Sequence, residues 1–234
     1  MAKSSAAKVE IQSLAGLLNF ACTVVRPGRP FLRRLHDATM QVDNKHHHIK
    51  VTKAMKKDLR LWLSFLEEYN GKTLFPITDW LSPNTHHCHT DASKLGYGLV
   101  YKSHWVYGTF PPEWGRLNIV LLEAYPIMLL FHMFGSMLAN KMIILHTDNE
   151  ALVTILNKQS CKHPGTMVIV REIVLTALKY NVIFKAEHIP GRDNTLSDAL
   201  SRLQVDAFKS KCKDHDPEPT QVPHNLLPGI FKLD

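Results

Sequence analysis

The run His87-Cys88-His89-Thr90-Asp91-Ala92-Ser93-Lys94-Leu95-Gly96-Tyr97-Gly98-Leu99-Val100-Tyr101 decides how this chain of 234 residues is to be read. It has the pattern of a strand, a glycine-bearing turn and a returning strand, with Asp91 inside the first strand. A carboxylate in a strand destined for burial is costly unless its charge is compensated, and a metal ion is the usual compensation. The pattern recurs at Met142-Ile143-Ile144-Leu145-His146-Thr147-Asp148-Asn149, where an apolar strand ends in Thr-Asp ahead of a helical segment. Two Thr-Asp strands point to one shared site. Between them Glu123 sits in an apolar helical run with Val120, Leu121, Leu122, Ile127 and Leu129, and Asp198 opens the helical stretch Ser197 to Leu203. Asp91, Glu123, Asp148 and Asp198 are therefore the candidate site. For two of them a simpler role is open: Asp148 as a helix N-cap, Asp198 as a first-turn acid favoured by the helix dipole.

Around these acids the elements alternate. Strands are expected at Gly98 to Lys102 and His104 to Phe110, antiparallel because their connections are short, with Pro111-Pro112 closing the second. A helix follows from about Leu117 to Leu138, starting late or kinking at Pro126. Then come the strand before Asp148, helices over 150–157 and 166–180, a strand over 182–189, and the helix bearing Asp198. This order is α/β. Gly96 and Gly98 either serve a turn or leave room for a ligand backbone. His86, His87, Cys88 and His89 form a rival zinc set, which strand alternation opposes by sending neighbours to opposite faces.

The N-terminal part reads as helices only. Ile11, Leu14, Leu17, Leu18 and Ala21 keep helical spacing between Val9 and Val25, and Arg26-Pro27-Gly28-Arg29-Pro30 stops that helix. A short helix is expected over Phe31 to Met40. Another, over Thr52 to Tyr69, puts Met55, Leu59, Trp62, Leu63 and Leu66 on one face. Arg26, Arg29, Arg33 and Arg34 could grip phosphates, as could Lys53, Lys56, Lys57 and Arg60, or both sets could be ordinary solvated surface. His46-His47-His48 lies in a polar linker and receives no role. Residues 204–234, with their prolines, mixed charge and weak periodicity, read as a tail or linker.

Composition narrows the class. A hydrophobic content of 45% supports a real core, and the net charge of +7 is uneven: residues 1–80 hold 13 Lys/Arg against 7 Asp/Glu, the rest 15 against 14. The N-terminal surplus favours a polyanionic partner. Cys22, Cys88, Cys161 and Cys212 lack paired spacing, which fits a reducing, intracellular setting in cytoplasm or nucleus. The run from Ile119 to Phe134 contains Glu123, Pro126 and His132 and is too short to span a bilayer. No secretory leader is expected.

The succession Thr90-Asp91-Ala92-Ser93, Glu123, Thr147-Asp148-Asn149 and His188-Ile189-Pro190-Gly191-Arg192-Asp193-Asn194-Thr195-Leu196-Ser197-Asp198-Ala199-Leu200-Ser201-Arg202 resembles the ribonuclease H domain of reverse transcriptases of the long-terminal-repeat type. Leu17 to Cys22 and Pro27 to Leu35 look like the segment after the polymerase palm in DIRS-like retroelements, which carry a tyrosine recombinase. The palm's aspartate pair does not occur here and no recombinase follows, so the resemblance implies a fragment or remnant of such a polyprotein.

It also implies a ribonuclease H-like fold over 84–203, with a mixed five-stranded sheet flanked by helices, preceded by a helical thumb or connection remnant over 9–70. The implied activity is endonucleolytic cleavage of RNA in an RNA/DNA hybrid, with the missing polymerase and recombinase as partners. Asp91 would bridge two Mg²⁺ ions (or Mn²⁺), Asp198 would join the nucleophile-side ion, and Glu123 and Asp148 the leaving-group-side ion. His188 would be the proton shuttle. Phosphodiester hydrolysis supports the same donors independently. It needs an activated water and a stabilised leaving oxygen, two ions supply both, and four convergent carboxylates make sense mainly with a cation among them. A non-catalytic nucleic-acid-binding remnant and a DNA nuclease sharing the fold are the alternatives.

Overall fold

The computed structural model describes residues 3–67, 80, 88–212 and 214–233, the Arg26 side chain excepted. It consists of two compact units, Met1–Pro76 and Ile77–Asp234.

In the first unit, helix α1 (Lys8–Ala21) buries Ile11, Ala15 and Leu18 while Leu17 and Phe20 stay in solvent. A 3-10 segment (Arg26–Leu32) leads into α2 (Arg33–Met40), and α3 (Lys53–Glu67) follows. Strands β1 (Ser5–Ala7) and β2 (His48–Lys50) pair antiparallel, so the expected histidine linker is partly a strand. The inward stripe of α3 is Met55, Asp58 and Trp62, and the Trp62 ring packs edge-on against Phe65. Leu63 and Leu66, expected inside, are exposed. The reason is Asp58: its side chain is 2% exposed and accepts from Arg34 Nη1 at 2.7 Å, so this turn of α3 faces α2 through an ion pair.

In the second unit, β3 (Cys88–Ala92), β4 (Gly96–Tyr101) and β5 (His104–Thr109) form an antiparallel meander, with Asp91 opposite Gly98. Strands β6 (Met142–Thr147) and β7 (Ile183–His188) pair in parallel. A parallel pair needs a crossover, and helices α6 (Glu150–Lys158) and α7 (Pro164–Lys179) supply it. The expected continuous five-stranded sheet is thus resolved as three strands plus two. Strand β3 lies beside β6, but no ladder joins them among the described residues. Asp91 near the end of β3 and Asp148 just beyond β6 carry charges that act on each other across this seam.

Two apolar layers enclose the meander. On one face Tyr97, Leu99, Tyr101 and Val106 meet α5 (Ile119–Phe134), which follows the one-turn α4 (Pro112–Gly115) and also packs on α7. On the other, Val100 and Trp105 meet Ala199 and Leu200 of α8 (Thr195–Ser201) and Phe208 of α9 (Val205–Lys211). Buried on both faces, β4 can afford no side chain at Gly98: a Cβ there would stand 2.5 Å from the Ser197 carbonyl oxygen and 2.6 Å from Leu200 Cβ. That glycine admits α8, and the one at Gly96 faces the Gly108 carbonyl oxygen, so neither opens a path for a ligand backbone. Helix α5, capped by Asn118 (Oδ1 accepting from Val120 N at 2.9 Å), runs through Pro126 without ending.

Residues 204–234 differ from the expected tail. Phe208 is 1% exposed against Trp105, whose Nε1 donates to the Asp216 carbonyl at 2.7 Å. The Asp216 carboxylate pairs with His104 Nδ1 at 2.6 Å, and Tyr125 Oη donates to the Leu226 carbonyl at 2.6 Å. At β7, Asn157 of α6 donates through Nδ2 to the Ala186 carbonyl (2.9 Å) and accepts from its N–H at Oδ1 (2.8 Å). Among the described residues no helix is long and apolar enough to cross a membrane, and no disulfide joins the cysteines.

Candidate active site

Asp91 is half-buried on β3, and Ser201 Oγ, from the last residue of α8, donates to its Oδ2 at 2.5 Å. Helix α8 is fastened here by a polar network. Asn194 Nδ2 donates to the Thr90 carbonyl at 3.0 Å, Ser197 Oγ to Asn194 Oδ1 at 2.6 Å, and Ser93 Oγ to the Ser201 carbonyl at 2.7 Å. Asn194, Ser197 and Ser201 are buried, so each of these bonds replaces water that the site excludes. The same helix presents Asp198, whose Oδ1 accepts from Arg202 Nε at 2.7 Å.

Glu123 projects from the second turn of α5, half-buried, with Thr147 Oγ1 at 3.5 Å from its Oε2 and the Asn149 side chain bonded to it. Asn149 also caps α6, its Oδ1 accepting from Leu152 N at 3.1 Å. The capping role open to Asp148 is therefore filled by its neighbour. Asp148 is exposed beside the Pro190–Asn194 turn, where a Cβ on Gly191 would stand 3.0 Å from its Oδ2. His188 is the last residue of β7, exposed and paired in register with Thr147.

The acids feel one another. Burial first, then the charges of Asp148 and Asp198, push Asp91 up to about 6 against the pull of the Ser201 hydrogen bond. Burial pushes Glu123 up to about 7, helped by the charges of Asp148 and Asp91 and opposed by the Asn149 and Thr147 hydrogen bonds. Elements distant in sequence thus bring Asp91, Glu123 and Asp148 into one another's electrostatic range, and Asp198 into that of Asp91. As a donor set they are hard oxygens, the kind a divalent Mg²⁺ or Mn²⁺ takes, and such a cation would reverse the cost of ionising Asp91 and Glu123. Among the described residues no three His, Cys, Asp or Glu side chains stand close enough to enclose one ion, and the Ser201 and Arg202 contacts occupy oxygens of Asp91 and Asp198. The donors fit a hard divalent cation in kind.

Of the rival zinc set, only Cys88 and His89 lie among the described residues. The Cys88 thiol is buried and pushed up to about 12 by that burial, far from a thiolate ligand. His86 and His87 lie outside the described residues. Of the basic candidates, Arg33 pairs with Asp37 (2.5 Å) and Arg34 with Asp58 (2.7 Å). Arg29, Lys53, Lys57 and Arg60 are exposed, and Lys56 borders an apolar groove of about 290 Å³ with Ile11, Leu14 and Met55. The Arg26 side chain lies outside what is described. Sequence reasoning missed Ser201, Asn149, Asn194 and Arg202, although each flanks an acid in the quoted motifs.

No protein-family profile matches the chain, and no curated protein matches it. Solved structures resemble it weakly. The N-terminal RNase H domain of a Mycobacterium tuberculosis protein, solved as a fusion with maltose binding protein, is 16% identical with a TM-score of 0.42, over 57% of this chain and 99% of that one. RNase H1 from the halophilic archaeon Halobacterium salinarum is 18% identical with a TM-score of 0.35, over 48% of this chain and 84% of that one. A foamy viral protease-reverse transcriptase dRH in complex with double-stranded DNA is 16% identical with a TM-score of 0.26, over 80% of this chain and 35% of that one.

Proposed function

We propose that the second unit is a ribonuclease H-like nuclease that hydrolyses the RNA strand of RNA/DNA hybrids, as part of a retroelement reverse transcriptase of the DIRS-like kind. The observation that supports this reading is that acids from separate elements act on one another: the charges of Asp148 and Asp198 on Asp91, and those of Asp148 and Asp91 on Glu123. These four would hold Mg²⁺, as two ions, or Mn²⁺. Bound there, the metal supplies Lewis acidity that lowers the pKa of a water and stabilises the leaving oxygen of the phosphodiester. Asp91 and Glu123, half-buried, provide the low-dielectric part of the site, and Asp148 at its exposed edge faces solvent. His188 is the candidate proton carrier, with its reach limited by the strand that ends on it. The first unit is the thumb-or-connection-like part, in which Arg29, Lys53, Lys57 and Arg60 are the exposed cations suited to phosphates.

Cleavage of labelled hybrid, double-stranded RNA and double-stranded DNA, with and without Mg²⁺, tests the reading. Metal-dependent cutting of RNA in the hybrid, abolished by Asp91→Asn, is expected. Preferential cutting of double-stranded DNA would make it a DNA nuclease instead. The wide spacing of the acids favours one other reading, a nucleic-acid-binding remnant without turnover. Hybrid binding with no cleavage, and no response of the melting temperature to millimolar Mg²⁺, would select it.

A further inference from the structure

We propose that Ser201 is a positioning residue, which fixes the Asp91 carboxylate for metal by a single buried hydroxyl proton. This rests on the reading of the four acids as a metal site. Ser201 closes α8, is 0% exposed, and its Oγ lies 2.5 Å from Asp91 Oδ2 and 3.0 Å from the Asp198 carbonyl oxygen. A hydroxyl has one proton to give. The shorter contact to a carboxylate takes it, because charge-assisted O–H···O⁻ bonds are the shorter and stronger kind. The ordinary habit of a helical serine is to bond back to a carbonyl of its own preceding turn. Here the proton leaves the helix for an acid 110 residues away in sequence, on another element.

The fastening of α8 to the sheet does not require that bond. Ser93 Oγ already holds the Ser201 carbonyl at 2.7 Å, and Asn194 already holds the Thr90 carbonyl at 3.0 Å. What Ser201 adds is orientation. With one lone pair of Oδ2 committed, the carboxylate plane is set, and Oδ1 and the remaining lone pair of Oδ2 are left for a cation. Partners in the shell behind metal ligands usually act in this way, and their loss costs about 10- to 100-fold in metal affinity or activity.

The experiment compares Ser201→Ala with Ser93→Ala, which removes a helix-to-sheet bond and two bonds of the β3–β4 turn without removing any bond to Asp91. For wild type and both variants, Mg²⁺ affinity is measured by titration calorimetry on the full chain, alongside the melting temperature without metal and kcat and KM on hybrid. Ser201→Ala is expected to weaken Mg²⁺ binding tenfold or more and to lower kcat with KM for hybrid unchanged. Ser93→Ala is expected to lower the melting temperature while keeping the Mg²⁺ affinity. Wild-type affinity in Ser201→Ala, or equal loss in both variants, overturns the inference. If wild type binds Mg²⁺ and Ser201→Ala loses it but neither cleaves hybrid, the nuclease reading fails while the positioning role stands. No Mg²⁺ binding by wild type overturns the reading of the acids and this inference with it.

Discussion

Replacing Asp91 by Asn should stabilise the metal-free protein at neutral pH. The interval from 3.8 to about 6 is the measure of what ionising this carboxyl costs in the folded chain. At ~1.4 kcal/mol per pH unit, that is on the order of 3 kcal/mol. A carboxyl whose folded pKa lies above its unfolded value holds its proton more tightly when folded. Stability is therefore lost as pH rises from about 4 through about 6, and the full cost is present above that window. Asparagine keeps the shape and the acceptor for Ser201 but has no charge to ionise. Urea denaturation at pH 3 and pH 7.5, without metal and with chelator, should show Asp91→Asn gaining about 3 kcal/mol at the higher pH and nearly nothing at the lower. A variant less stable than wild type at pH 7.5, or a gap independent of pH, would refute the argument that repulsion and burial dominate this carboxyl.

Glu123→Gln should likewise gain on wild type, in a window displaced upward: wild-type stability falls as pH rises from about 4.5 through about 7 and the variant lacks that loss, which a pH series of melting curves reads directly. Millimolar Mg²⁺ should raise the wild-type melting temperature by mass action and raise that of Asp91→Asn much less, as differential scanning fluorimetry would register. Arg34→Ala should cost about 3 kcal/mol in chemical denaturation, because it takes the guanidinium from the buried Asp58 carboxylate, whereas neutralising exposed Arg29 should leave stability unchanged and lower the salt slope of hybrid binding. Gly98→Ala should destabilise by about 1–3 kcal/mol through overpacking against Ser197 and Leu200, measurable as a drop in denaturation midpoint.

The four acids were legible because a carboxylate stands out in apolar sequence, and the strands and helices because period and proline-glycine punctuation are local properties. The partners of the acids were not. Nothing local in Ser201 says that its proton goes to Asp91 rather than to its own helix, since that contact exists only after α8 has landed on β3. The inward face of α3 was misjudged for the same reason: Leu63 and Leu66 fit the apolar count, but Asp58 turns inward once Arg34 is there to meet it. The C-terminal stretch hid its role because Phe208 docks from a helix of only seven residues, and Leu226 and Phe231 from an irregular path that has no period to detect.

The Asn157 amide has a further consequence. By taking both backbone groups of Ala186, it imitates one residue of a further strand beside β7, and the parallel pair closes there on a side chain of its own crossover helix. An open strand edge is a template onto which a foreign segment can zip. Here the template is already written over at its middle, so a stranger would have to dislodge a matched donor and acceptor before laying down its first rung. Among the described residues this amide covers the middle of that edge of the parallel pair, and Asn157→Ala is expected to leave the chain folded but more prone to self-association, which light scattering at high concentration would read.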